Sequence, residues 1–138
     1  MASRSLSDLV PRVRELTLKW IDACKAEKID VLVYCTYRSP EEQNELYAIG
    51  RTKPGKIVTN ARAGDSFHQY RVAFDFVPLV GGKPAWGDKT LYTKAGSLAE
   101  SFGFEWAGRW QGKLKETAHC QFRGSLTLAD FKSGKSIN

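Results

Sequence analysis

Only two histidines occur in the chain, His68 and His119, and each lies close in sequence to a carboxylate. His68 sits in Gly64-Asp65-Ser66-Phe67-His68-Gln69-Tyr70-Arg71-Val72-Ala73-Phe74-Asp75, ahead of Asp75, and His119 closes Glu116-Thr117-Ala118-His119. Two imidazoles, an aspartate and a glutamate are the parts of a catalytic zinc site. Zinc accepts imidazole nitrogen and carboxylate oxygen, and a catalytic site uses three protein ligands and leaves the fourth position to water. A carboxylate that is not a ligand can then take a proton from that water.

These residues need elements to position them. Residues 72–77 read as a short buried strand, on which side chains alternate faces, so Ala73, Asp75 and Val77 share one side and Val72, Phe74 and Phe76 the other. Asp75 then faces away from the phenylalanines, and the small Ala73 beside it leaves room for an ion. One unbroken strand would put His68 and Asp75 on opposite faces, so a turn or bulge is expected at Gln69-Tyr70-Arg71. If residues 118–123 form a strand, His119 and Gln121 face the site while Ala118, Cys120 and Phe122 face the core. Glu116 must reach in from the preceding loop, which suits a base that stands beside a metal without binding it.

The paired pattern Ser66-x-His68-x-x-x-x-Ala73-x-Asp75 and Glu116-x-x-His119 resembles the zinc peptidases of the D-alanyl-D-alanine carboxypeptidase and dipeptidase group, family M15. Within it, the chain is similar to the small L-alanyl-D-glutamate peptidases that serve as phage endolysins. The resemblance spans about residues 37–122. It implies an α+β fold, a small, mainly antiparallel sheet carrying the zinc site and packed against helices, as in the D-alanyl-D-alanine peptidase and hedgehog-like group. It implies Zn2+ on His68, Asp75 and His119, with Glu116 as general base, and hydrolysis of a bond in peptidoglycan stem peptides. A D,D-carboxypeptidase or dipeptidase would share these residues, and a non-catalytic wall-binding module would have no need of Glu116. The family often has Gly where this chain has Arg71, which would be strained there if the position needs a positive φ.

The same resemblance gives Arg38 a role toward substrate and the oxyanion; the simpler reading is a surface arginine paired with Glu41 or Glu42. It also implies that the Ser66 hydroxyl meets a substrate carboxylate, against an ordinary turn serine. Phe104-Glu105-Trp106-Ala107-Gly108-Arg109-Trp110 resembles the family's Trp-Gly-rich segment, with Trp106 in the core and Trp110 walling a substrate groove. Cys120, next to His119, could serve a thiol mechanism only if both faced the site, which strand alternation opposes.

A chain of 138 residues suits one domain able to bury its own core. A hydrophobic share of 42% with 26% charged residues places it among ordinary soluble proteins. The net charge of +6 favours polyanions in general, but no basic run or motif singles out nucleic acid. No apolar run is long enough to span a membrane, and Met1-Ala2-Ser3-Arg4 leads into charged sequence without a signal-peptide core. The expectation is a monomer made in the cytoplasm that needs another factor to reach the cell wall. Cys24, Cys35 and Cys120 are odd in number and lack a C-x-x-C pair, so free, buried thiols are expected.

Around the motifs, Ser5 or Ser7 is expected to cap a helix to about Lys28, with Leu6, Leu9, Val13, Leu16, Trp20 and Cys24 forming one apolar stripe. Residues 31–37 read as a buried strand ending at Arg38. Ser39-Pro40-Glu41-Glu42 then opens a helix to about Ile49 that stops at Gly50. Residues 51–63 form a binding loop, 78–88 a turn between short strands, 92–102 a third helix, 126–131 a last short helix and 133–138 a frayed tail.

Overall fold

The computed structural model describes residues 2–112 and 115–137. Its centre is β2, Ala73–Val80, in a five-stranded antiparallel sheet. On one side β2 pairs with β1, Asp30–Cys35, and its far end turns back into the two-residue β3, Lys83–Pro84. On the other side it pairs with β5, His119–Gln121, which in turn pairs with β4, Glu105–Trp106. The expected α+β architecture is the one observed.

The register sorts the side chains into rows. Phe74, Cys120 and Trp106 stand opposite one another across β2, β5 and β4, while Asp75 is opposite His119 and Ala73 opposite Gln121. Because neighbours across strands share a face, the first row points into the core and the other two line the site. Phe74 and Phe76 meet the ring of Trp20, with centroids 4.9 and 5.1 Å away. Trp20 comes from α1, Pro11–Ala26, which buries Val13, Thr17, Trp20 and Cys24 on one face. Its indole N–H donates to the Ala95 carbonyl (2.8 Å) of α3, Lys89–Ser101, so the two helices are tied over the aromatic face of the sheet. Trp106 lies against Gly96 of α3 and against Gly108, where an added Cβ would stand 2.2 and 2.1 Å from ring atoms. Glycine is required at both positions by that close approach.

Several boundaries differ from expectation. Ser5 caps only a 3-10 turn, Leu6–Asp8, and the helix proper starts at Pro11, because proline holds Val10 in an extended conformation (ψ 150°). The first strand stops at Cys35, since Thr36 turns aside to pair with Ser3 (2.8 Å). The third helix starts earlier, at Lys89, capped by the Asp88 carboxylate, and the last, α4, is Leu128–Lys132, capped by Thr127. The tail is not frayed at Ile137, which is buried in the core cluster; Asn138 lies outside the described residues. No helix among the described residues is long and apolar enough to cross a membrane.

Candidate metal centre

His68 is carried by a 3-10 turn, Phe67–Tyr70, that Ser66 opens and Arg71 closes in the left-handed region (φ 64°). The expected turn between His68 and the strand is therefore present, and the expected strain falls on Arg71. The turn swings His68 back over β2 to the Asp75 side. There the His68 Nε2 lies 3.2 Å from Asp75 Oδ1, and the His119 Nδ1 lies 3.1 Å from the same oxygen.

The outward nitrogen of each ring has its own partner. His68 Nδ1 lies 2.9 Å from the Thr36 carbonyl, which can only accept, so this nitrogen carries the proton and Nε2 is left to face Asp75. His119 Nε2 lies 2.9 Å from Gln121 Oε1. The Gln121 amide is oriented in turn, because its Nε2 donates to Glu105, itself paired with Arg123 (2.6 Å). Such outer contacts fix tautomer and ring angle for metal-binding histidines. Tetrahedral zinc with bonds near 2.0–2.1 Å holds its ligand atoms about 3.3 Å apart. Each ring–carboxylate separation, His68 to Asp75 and His119 to Asp75, matches that edge, whereas the three residues whose ligand atoms all lie within 4.8 Å of one another, among the described residues, are Cys35, His68 and Asp75.

Cys35 is a fourth candidate that the sequence did not offer; its sulfur, a His68 ring nitrogen and an Asp75 oxygen all lie within 4.8 Å of one another. Its neighbours favour a different use. The sulfur sits 3.8 Å from His68 Nδ1, the nitrogen already committed to Thr36, and accepts from Arg38 Nη2 at 3.4 Å. Cys35 thus lies on the Nδ1 side of the His68 ring, while Nε2 faces Asp75. Cys24 and Cys120 are buried free thiols, and burial pushes both above their ordinary range, Cys24 to about 12.

Electrostatics tie the cluster together. Burial opposes charge on His68, yet the adjacent Asp75 outweighs it and raises the imidazole to about 10. Burial would also raise Asp75, but His68 and His119 hold its carboxyl well below the usual range. A buried carboxylate is costly without a positive partner, and here imidazole or a dication supplies it.

The cluster forms part of the floor of a groove of about 1010 Å³ that is also lined by Arg38, Ser66, Trp110 and Glu116. All seven residues expected at the site are therefore brought together. Glu116 is exposed, held by its N–H to the Ala107 carbonyl (3.1 Å) on the turn leading into β5. Arg38 shows no contact with Glu41; its Nη2 stands 3.7 Å from Asp75 Oδ2 and its Nη1 donates to Gln43 (3.0 Å). Ser66 accepts from the His68 N–H (3.3 Å), the turn-serine role, and also faces the groove. Trp110 leans over His119 with centroids 6.1 Å apart. Sequence reasoning gave no role to Thr36, Gln43 or Trp86. Trp86 is 59% exposed, packs edge-on against Tyr34 and lines the groove.

A family model described as VanY, D-alanyl-D-alanine carboxypeptidase, matches residues 7–125. The chain is 36% identical over 124 residues to the peptidoglycan L-alanyl-D-glutamate endopeptidase CwlK of Bacillus subtilis (strain 168), covering 83% of this chain and 74% of that protein. It is 32% identical over 127 residues to the L-alanyl-D-glutamate peptidase of Listeria phage A118, covering 87% of this chain but only 41% of that longer protein. Among solved structures, a vancomycin-resistance D,D-pentapeptidase VanY in complex with Zn(II) shares the fold, with a TM-score of 0.63 at 19% identity over 91% of this chain and 78% of the other.

Proposed function

The chain belongs to the VanY D-alanyl-D-alanine carboxypeptidase family, and from that premise we propose that it is a zinc-dependent L-alanyl-D-glutamate endopeptidase of the phage endolysin kind, hydrolysing peptidoglycan stem peptides. The observation that carries the metal reading is the pair of capped histidines: Thr36 and Gln121 take the outward nitrogens and leave Nε2 of His68 and Nδ1 of His119 beside one oxygen of Asp75. The two L-alanyl-D-glutamate peptidases at 36% and 32% identity support the choice of bond.

In this reading His68, Asp75 and His119 hold the zinc. Bound there, the ion supplies Lewis-acid activation of water and of the scissile carbonyl. Glu116, unpaired with any arginine or lysine among the described residues, takes the proton from the attacking water and returns it to the leaving amine. Arg38 lines the groove beside Asp75, where its guanidinium stabilises the developing oxyanion. Ser66 accepts from a backbone N–H and keeps its own O–H for a substrate carboxylate. Trp110 walls the groove beside His119.

The test is digestion of purified peptidoglycan with and without a chelator, with the new termini identified by mass spectrometry. New L-alanine carboxyl and D-glutamate amino ends, lost on chelation and restored by zinc, are expected. Release of D-alanine would assign the chain to carboxypeptidase action instead. No new ends from zinc-loaded protein would leave a wall-binding module.

A further inference from the structure

Gln43 is a fully buried glutamine on α2, Pro40–Ala48, the helix that starts just after Arg38. Helix α2 is otherwise a poor contributor to the core: Gln43 is its only buried residue. A buried primary amide must satisfy two donors and two acceptor lone pairs, so its contacts report what it is there to hold.

Each end of the amide meets partners of one kind. Oε1 accepts from Arg38 Nη1 at 3.0 Å and from Gln69 Nε2 at 3.4 Å. Nε2 donates to the Ala61 carbonyl at 2.8 Å and to the Thr59 hydroxyl at 3.4 Å. Gln69 also donates to the Arg38 carbonyl (3.0 Å) and belongs to the turn that carries His68. Two donors at one end and two acceptors at the other leave a single sensible orientation of the amide. Thr59 and Ala61 line the groove, within a loop of residues 51–63 that has no regular secondary structure beyond one isolated bridge. One side chain therefore spans from the site arginine to the groove wall.

We propose that Gln43 is a positioning residue that sets Arg38 with its carbonyl end and fixes the 59–61 wall of the substrate groove with its amino end. The inference rests on the peptidase reading, because it gives Arg38 and that wall their work. Arg38 has few other restraints: its Nε is buried without a partner, and its second Nη meets only a thiol and a carboxylate oxygen at 3.7 Å. Loss of the Gln43 carbonyl thus frees the guanidinium to swing toward Asp75 and out of register with the scissile group. Loss of the amino end loosens the wall at Ala61, while Arg51, which donates to the Thr59 carbonyl (3.0 Å) and to Asn60 (3.3 Å), and Asn44, which accepts from the Ala63 N–H (2.9 Å), still tether the loop on either side.

Two substitutions separate the two ends. Gln43→Glu keeps an acceptor for Arg38 but turns an oxygen toward the Ala61 carbonyl, so the wall is pushed away while the arginine stays held. The expected result on zinc-loaded enzyme with purified peptidoglycan is a KM raised about 10-fold with kcat within about threefold. Gln43→Leu removes both ends, and a kcat lower by about 10- to 100-fold is expected in addition. In an Arg38→Ala background, Gln43→Leu should lower kcat no further yet still raise KM. Zinc content and the melting curve of each variant exclude a collapsed site or fold. Equal losses in kcat for Glu and Leu variants, or a full further kcat loss in the Arg38→Ala background, would overturn the proposal. Absence of zinc-dependent cleavage by the unsubstituted protein would overturn the peptidase reading itself, a separate outcome.

Discussion

The two faces of β2 carry opposite solutions to burial. On one, Phe74 and Phe76 are fully enclosed by Trp20, Phe104 and Tyr92 in an aromatic cluster that needs no partner beyond good packing. On the other, Asp75 lies between two imidazoles and an arginine, a largely enclosed charge that its neighbours make tolerable. Alternate residues of one strand thus separate stability from chemistry. Changes on the core face should unfold the protein without altering the reaction, and changes on the site face should do the reverse.

The largest effect expected is on the site side. Glu116→Gln should lower kcat by about 10²- to 10⁴-fold, the usual reach of a general base, while zinc content and melting temperature stay at the values of the unsubstituted protein. His119→Ala should lose both zinc and turnover. Retained activity in Glu116→Gln would remove the base from the mechanism and blur the division between the faces.

The matching change on the core side is Phe76→Ala. Enclosed by Trp20 and Tyr92, the ring leaves a cavity when removed, at a cost of about 3–5 kcal/mol. Urea unfolding should register that loss, whereas activity per folded molecule at low temperature should be unchanged. A fall in specific activity as large as the fall in stability would mean that the two faces are coupled.

A smaller effect comes from charge on the site face in metal-free protein. Asp75, lowered from 3.8, contributes stability above that value and loses it as pH falls. His68, raised from 6.5 to about 10, contributes fully below 6.5 and loses its share as pH climbs toward 10. Melting temperature with chelator present should therefore peak between about pH 4 and 6.5 and fall steadily as pH climbs from there toward 10. Zinc held by His68 as proposed would have to displace its proton, so the stabilisation by added zinc should grow as pH rises over the same interval. The control is His68→Gln, which should flatten the alkaline limb; an unchanged limb would assign it to other groups.

What could be read from sequence follows the range of the interaction responsible. Alternation along β2 assigned the faces of Phe74 and Asp75, and the Ser39 capping box marked the start of α2, because both depend on residues within a few positions. Local spacing also placed His119 and Gln121 on one face. The partners of these residues were out of reach: the Thr36 carbonyl meets His68 from 32 residues away, and Gln43 reaches Ala61 from 18. Neither contact leaves a periodic signal, since one is a backbone carbonyl and the other a lone polar residue on a mostly exposed helix. The burial of Ile137 was hidden for the same reason: a polar terminal segment gives no sign that one residue will find the core.

Arg71 is the pivot between the two faces, the residue that turns the chain from His68 on the site to Val72 in the core, and it offers the smallest test. Its left-handed backbone (φ 64°, ψ 31°) costs a non-glycine residue about 1–2 kcal/mol. Three side-chain contacts oppose that cost. The guanidinium lies 4.0 Å from the Tyr37 ring centre, Nη1 donates to the Asp8 carbonyl at 3.2 Å, and the Asp8 carboxylate is 3.6 Å away. The ion pair is well exposed and contributes little, and the stacking is worth about 0.5–1 kcal/mol. Arg71→Gly removes the strain together with the contacts and loosens the unfolded chain, so stability should change by less than about 1 kcal/mol. Arg71→Ala keeps the strain and loses the contacts, and should destabilise by about 1 kcal/mol. If urea unfolding finds Ala and Gly equal, the backbone at this corner is unstrained, and the turn that separates site from core is set by the His68 hydrogen bonds instead of by residue 71.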